Sequence, residues 1–208
     1  MKKKIFEDLS KICKTINYID DESDIIKYSK DWRGRVNEKA LCVVFPKNED
    51  HISEILKYCF DNEVKVIPQG GNTNLVASAS PSTEKREIII NMEKMNLIHH
   101  VDTINKCVEV DAGVVIDDLN STLEKQDFLF PLEMASTGSS QVGGIISTNA
   151  GGINVLHYGS VRNNLLALDV VLSNGRILRL GSKVVKDNTG YNLKDLFCGS
   201  EGTLGIIT

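Results

Sequence analysis

Three segments of the chain crowd glycine together with serine, threonine and asparagine. The first is Pro68-Gln69-Gly70-Gly71-Asn72-Thr73-Asn74-Leu75. The second spans 136–152, with Gly138, Gly143, Gly144, Gly151 and Gly152, and the third is 199–206. Glycine lets successive main-chain N–H groups converge on a ligand without a Cβ in the way. Neighbouring hydroxyls and carboxamides add further donors. Neither 68–83 nor 131–161 contains a Lys or Arg. An anion held there rests on backbone amides and helix N-termini rather than on ion pairs. That suits a diphosphate inside a large cofactor whose rings bind through apolar contact. It suits a nucleoside triphosphate poorly, because that ligand needs a lysine and a metal. The sequence holds no Gly-x-Gly-x-x-Gly and no Gly-x-x-x-x-Gly-Lys-Ser/Thr, and the spacing of Gly199, Gly202 and Gly205 matches neither. One Gly-Gly pair would be an ordinary turn. Three such segments, each joined to an apolar strand, point to a binding site.

Other chemistry-bearing residues offer less. His99 and His100 fall on one expected strand, where adjacent side chains face opposite ways, so they do not share a metal. His157 stands beside the second glycine segment and either faces a ligand or serves the structure. Trp32 reads as a packing anchor. Asp117-Asp118 and Asp20-Asp21-Glu22 read as solvated charges. Cys13, Cys42, Cys59, Cys107 and Cys198 are odd in number and scattered, which suits a reducing compartment better than a disulfide or zinc framework. Twenty-four basic against 28 acidic residues give a net charge of −4 with no basic block, so nucleic acid is not an expected partner. Lys2, Lys3 and Lys4 run into Glu7 and Asp8, and no stretch approaches a span of about 20 apolar residues. The expected location is the cytoplasm, with peripheral contact at a membrane only through an electron acceptor.

The elements that must position these loops are legible around them. Residues 1–37 form an expected helical extension, spaced by Ile5, Leu9, Ile12 and Ile16. Residues 40–45 read as a buried strand. Asn48, Glu49 and Asp50 then start a helix with an apolar face of Ile52, Ile55, Leu56, Cys59 and Phe60. A strand at 64–67 completes a βαβ unit with parallel strands, and 87–91 is a third strand. The period then changes. Residues 98–102 and 107–111 form an expected antiparallel hairpin, Ile116, Leu119 and Leu123 a short helix, and Ser173-Asn174-Gly175 the turn of a second hairpin. The expected class is α+β in two lobes. Lobe one is 38–95, with a small parallel sheet; lobe two is 96–208, mainly antiparallel with flanking helices.

The motifs themselves resemble a family. The loop 68–73 is similar to the Pro-x-Gly-Gly-x-Ser/Thr loop of the vanillyl-alcohol-oxidase-type (PCMH-type) FAD-binding domain. The blocks Gln141-Val142-Gly143-Gly144, Thr148-Asn149-Ala150-Gly151-Gly152, Tyr158-Gly159, Lys186-Asp187-Asn188-Thr189-Gly190-Tyr191 and 199–205 resemble the branch with D-2-hydroxyglutarate dehydrogenase, D-lactate dehydrogenase and the glycolate oxidase flavoprotein subunit. The resemblance runs from about residue 38 to 208.

It implies that Gly70, Gly71, Asn72, Thr73 and Asn74 wrap the FAD diphosphate. Thr137, Gly138, Ser139, Gly144, Thr148, Asn149 and Ala150 would hold the ribityl chain, diphosphate and flavin edge. Glu201, Gly205 and Ile206 would lie near the adenine end. Pro68, Leu75, Pro131, Gln141 and Gly151 complete the implied cofactor set. Many relatives attach FAD through a histidine directly after the Gly-Gly pair; here that position is Asn72, so the flavin is expected to be non-covalent. Relatives often carry glycine at the position of Asn74 and a Gly-Gly pair at those of Ala77 and Ser78, which raises the expectation of a positive φ at Asn74. A branched side chain at Gly71 is expected to block the diphosphate and spare the fold. The reaction implied is hydride transfer from a small D-2-hydroxy acid to flavin N5, with a quinone or electron-transfer protein as acceptor. Relatives continue into a lobe carrying the substrate-binding arginines and a metal site, whereas this sequence stops at Ile206-Ile207-Thr208. The expected chain is therefore a flavin half that lacks its substrate domain. It acts with a partner chain, or it is a split or remnant module without turnover. No catalytic residue and no metal ligand is assigned.

Overall fold

A computed structural model describes all residues except 1, 13–15, 37 and 83–86, and the side chains at 2–4 and 6 are likewise outside the description. Cys13 therefore lies outside the described residues. The fold is α+β. Helix α1 (Lys2–Ile12) is followed by strand β1 (Asn17–Ile19) and helix α2 (Glu22–Ser29). Asp21 begins α2 because its carboxylate accepts from Ser23 N at 2.8 Å, a side-chain cap on an otherwise orphan donor. Strand β2 (Val43–Phe45), helix α3 (Glu49–Asp61), strand β3 (Lys65–Gln69) and strand β4 (Glu87–Asn91) come next. Asn48 caps α3 by accepting from His51 N at 2.9 Å.

These strands form one sheet in the order β1-β2-β4-β3. β2 and β3 are each parallel to β4, which lies between them, so the expected βαβ unit encloses a third strand. Every residue of β4 is buried, as a β-branched run covered on both faces should be. The region before residue 38 is more than a helical extension, since β1 pairs antiparallel with β2 at the sheet edge. On α3, Ile52, Ile55, Leu56 and Cys59 are buried as expected, but Phe60 is exposed.

The remaining chain is antiparallel. Strands β5 (Ile98–Asp102) and β6 (Cys107–Val110) make a hairpin, with a register shift between Ile98 and His100. His99, at that register shift, and His100 are both exposed. His99 Nε2 is paired to Asp111 at 2.6 Å. Helix α4 (Ile116–Leu123) runs into a 3-10 turn, Glu124–Gln126. Short helices α5 (Val142–Ser147), α6 (Val155–Tyr158) and α7 (Val161–Asn164) lead to strands β7 (Ala167–Val171) and β8 (Ile177–Gly181). Helix α8 (Lys194–Phe197) precedes β9 (Ile206–Ile207), which pairs antiparallel with β7 opposite β8.

Of the three sheets, the four-stranded one and the β8-β7-β9 one share one core. A single apolar cluster includes Leu9 of α1, Ile52 and Ile55 of α3, Ile88 and Ile90 of β4, Ile116 of α4, Ile145 of α5, Val170 of β7 and Ile206 of β9. Helix α3 joins the halves. Ser53 Oγ donates to Gly175 O at the β7–β8 turn (2.6 Å), and Arg179 of β8 bridges Glu49 (2.8 Å) and Asp169. The Arg179 hydrogen bond holds the Glu49 carboxyl below its ordinary pKa. Trp32, expected as a packing anchor, is 71% exposed.

Candidate functional site

Strand β3 delivers the first glycine segment to the end of the parallel sheet, where open α/β sheets place ligand sites. Its last residue, Gln69, is buried and fully engaged. Its Nε2 donates to Tyr28 O (2.7 Å) and Ala79 O (2.8 Å), and its Oε1 accepts from Asn91 Nδ2 (3.0 Å). Beyond it the main-chain N–H groups of Gly71, Asn72, Thr73, Asn74 and Leu75 make no hydrogen bond among the described residues. Asn72 takes φ 52°, and its Nδ2 donates to Lys30 O at 2.7 Å. Lys30 is held in turn by the loop after α2. There the buried Asp31 carboxylate accepts from Arg33 N (3.3 Å), Arg35 N (2.6 Å) and Val36 N (2.8 Å), which lowers its pKa. Asn74 does not take a positive φ. It stays in the ordinary region and accepts Ser78 N on Oδ1 (3.0 Å), and Ala77 is the left-handed residue, at φ 60°.

The second segment packs directly on the first. A Cβ on Gly71 would stand 1.7 Å from Ser139 O, so this glycine is required by backbone approaching backbone. The expectation that a larger side chain at Gly71 would spare the fold is therefore wrong. Gly144, on α5, is the contrasting case: a Cβ there meets nothing within 4 Å. A line of hydroxyls links the segments, Thr73 Oγ1 to Ser140 Oγ at 3.1 Å and Ser140 Oγ to Ser136 Oγ at 2.9 Å. The third segment is pinned to the end of α5 by Gly199 N to Ile146 O (3.0 Å) and Glu201 N to Ser147 O (2.8 Å). It touches the first at Gly202, φ 76°, whose Cβ would come within 2.6 Å of Pro68 Cγ.

The three segments enclose one cavity of about 340 Å³. Of the sequence-predicted residues, Pro68, Gly70, Gly71, Asn72, Thr73, Asn74 and Leu75 line it, as do Gln141, Gly144, Thr148 and Ala150, and so do Glu201, Gly205 and Ile206. Pro131, Thr137, Gly138, Ser139, Asn149 and Gly151 do not. Two of these have visible structural roles. Ser139 supplies the carbonyl that Gly71 abuts, and Asn149 (φ 48°) accepts Arg162 N on Oδ1 at 3.0 Å. His157 is exposed, rests edge-on against Tyr158 and does not line the cavity. Gln69 of the first segment also lines the cavity. Lining residues that the sequence did not single out include Met92, Ala112, Met134 and Ile145. Their apolar or buried character is indistinguishable from ordinary core in one dimension. Among the described residues, Glu201 is the sole charged residue in the lining.

This wall suits a dinucleotide carrying a diphosphate. It offers unpaired main-chain donors without a competing cation, and apolar surface for rings. It also contains two buried carboxamide oxygens with no partner, Asn72 Oδ1 and Gln141 Oε1. Such atoms cost about 1–3 kcal/mol each when left unsatisfied, which marks a wall made for a ligand. The volume lies at the low end of the roughly 300–1,000 Å³ typical of ligand sites, so the cavity encloses part of a dinucleotide and leaves the rest at its mouth.

Comparison with known proteins agrees with this wall. The family described as "FAD binding domain" matches residues 40–181. The chain belongs to this family. The FAD-binding domain is 43% identical over 188 residues to D-2-hydroxyglutarate dehydrogenase, mitochondrial, of Danio rerio, covering 90% of this chain and 35% of that protein. It is 42% identical over 185 residues to a D-2-hydroxyglutarate–pyruvate transhydrogenase of Saccharomyces cerevisiae, covering 89% and 37%. Among solved structures it superposes on alkyldihydroxyacetonephosphate synthase with a TM-score of 0.81 at 26% identity, covering 92% of this chain and 36% of that one. The domain thus spans about a third of the length of these relatives. No helix among the described residues is long and apolar enough to cross a membrane.

Proposed function

We propose that this FAD-binding domain holds FAD non-covalently and forms the flavin half of an oxidoreductase that oxidises a small D-2-hydroxy acid. The observation that carries the reading is the convergence of three glycine segments on one cavity whose lining, among the described residues, has no Lys or Arg, with successive amides at 71–75 that make no hydrogen bond there. Those amides take the diphosphate, while Thr73, held by Ser140, contributes a hydroxyl beside them. The apolar lining by Ala150, Ile145 and Met134 supplies a dry bed for the rings. Asn72, anchored to Lys30, has no nucleophilic ring nitrogen, which favours a non-covalent flavin. FAD held by these residues would supply the redox chemistry, as the acceptor of a hydride from the 2-hydroxy acid and the donor of electrons to a quinone or an electron-transfer protein. D-2-Hydroxyglutarate is the favoured substrate, supported by what the names of the relatives state, with D-lactate and glycolate as the neighbouring choices. The proposed compartment is the cytoplasm, supported by the scattered cysteines.

Purified chain titrated with FAD tests the cofactor. Bound flavin absorbance that is lost from the pellet on acid precipitation is the expected result, and colour retained by the pellet refutes non-covalent binding. Gly144→Val places a branched side chain in the open space at α5 and should weaken FAD binding at least about tenfold without lowering stability. Wild-type affinity in that variant removes Gly144 from the site. Dye reduction with the three acids, by this chain alone and with a downstream segment of a relative added in trans, separates an active half from a module without independent turnover.

A further inference from the structure

Three hydroxyls stand in a line along the wall of the glycine cavity. Ser140 Oγ is the middle one, 3.1 Å from Thr73 Oγ1 and 2.9 Å from Ser136 Oγ, and all three residues line the cavity. Ser140 is 3% exposed, whereas Thr73 and Ser136 are half-buried. Main-chain bonds fix the middle member: Ser140 N donates to Ser136 O (2.8 Å), and Ser140 O accepts from Ile116 N (3.0 Å). Among the described residues the three side-chain oxygens make no other hydrogen bond. Each hydroxyl has one proton to give and two lone pairs to receive. Two bonds use two of the three protons, so three arrangements exist. If both ends donate to Ser140, its own proton is stranded in a buried place, which is costly. The other two arrangements run one way along the line, toward Thr73 or toward Ser136. An anion at one end decides between them, because the spare proton is then held at that end. The amides of 71–75, which make no hydrogen bond among the described residues, draw an anion to the Thr73 end.

We infer that Ser140 is a positioning residue: it donates to Thr73 Oγ1, accepts from Ser136, and so commits the Thr73 proton to the diphosphate of the bound dinucleotide. The inference rests on the FAD reading and deepens it. Neither Ser136 nor Ser140 belongs to the cofactor set that the family resemblance implies. The line turns Thr73, by itself donor or acceptor, into a donor like the amides around it. Aligned hydroxyls strengthen one another by roughly 10–30% per bond, so their influence fades with distance from the anion. The order of influence is Thr73, then Ser140, then Ser136.

FAD titration of three single variants and one double variant tests the direction of the line. Kd should rise roughly tenfold in Thr73→Val, about three- to fivefold in Ser140→Ala and less than about twofold in Ser136→Ala. Because Ser140 acts through Thr73, the double variant should bind no more weakly than Thr73→Val alone. Competition against FAD then separates positioning from packing. In Ser140→Ala, ADP should weaken in step with FAD, while adenosine and riboflavin compete as in wild type. Should Ser140→Ala fail to fold, Ser140→Cys, near in size and a weak donor, takes its place in the same measurements. The largest loss at Ser136, a double variant whose loss is the product of the two single ones, or equal weakening of ADP and riboflavin overturns the inference. Wild-type chain that takes up no FAD sinks the functional reading with it; wild-type uptake matched by Ser140→Ala sinks this inference alone.

Discussion

At the residue scale, glycines of identical sequence appearance do different work. Gly71 is required by the carbonyl of Ser139, and Gly144 leaves space open to the cavity. Gly71→Ala should therefore destabilise the fold by about 1–3 kcal/mol, as overpacking against a rigid neighbour does. Urea unfolding measures it, and a wild-type midpoint would show that the two loops separate freely. Ala77 is the reverse case, a non-glycine held at φ 60°. Ala77→Gly should stabilise by about 1 kcal/mol, the cost of a left-handed Cβ less the entropy glycine adds to the unfolded chain. Thermal melts check the sign. Which of Asn72, Asn74 and Ala77 would be left-handed was not legible in the sequence, because φ there depends on the anchors at Lys30 and Ser78.

At the element scale, the end of α2 reaches the site through two carbonyls, Tyr28 O to Gln69 and Lys30 O to Asn72, and the buried Asp31 carboxylate orders the loop that follows. Asp31 gathers three amides and thereby sets Lys30, whose carbonyl holds Asn72. Its folded pKa lies below the unfolded value of about 3.9. Its contribution is therefore complete above that value and lost as pH falls through the folded pKa. Asp31→Asn should be less stable than wild type at neutral pH and lose less on acidification below about pH 4. Parallel slopes of unfolding free energy against pH would remove this role. Helix α3 was readable from its cap and apolar spacing, and its cap forms as expected. Phe60 broke the pattern because, at about 100° per residue, it lies at the side of the stripe formed by Ile52, Ile55, Leu56 and Cys59, and Cys59 next to it is buried.

At the scale of the whole molecule, the parallel and antiparallel sheets share one apolar cluster and are clasped by Ser53–Gly175 and Glu49–Arg179. Unfolding should be a single transition, with far-UV circular dichroism and calorimetry reporting the same midpoint. Added FAD should raise stability by mass action, about 2.7 kcal/mol at 100 times its Kd. Two separate transitions, only one of them shifted by FAD, would show that the halves fold independently.

The strands from 40 to 111, helix α3 with its Asn48 cap, helix α4, the second hairpin turn and the three glycine segments were determined by the sequence itself, since period, capping side chains and turn residues act over a few positions; strand β1 and the Asp21 cap of α2 were not legible there. The loop residues that face a ligand and those that face each other were decided only in three dimensions. Glycine permits close approach from any side, and the chain alone does not specify which neighbour arrives. Ser139 fills one such space and a cavity the other, and that difference separates Gly71 from Gly144.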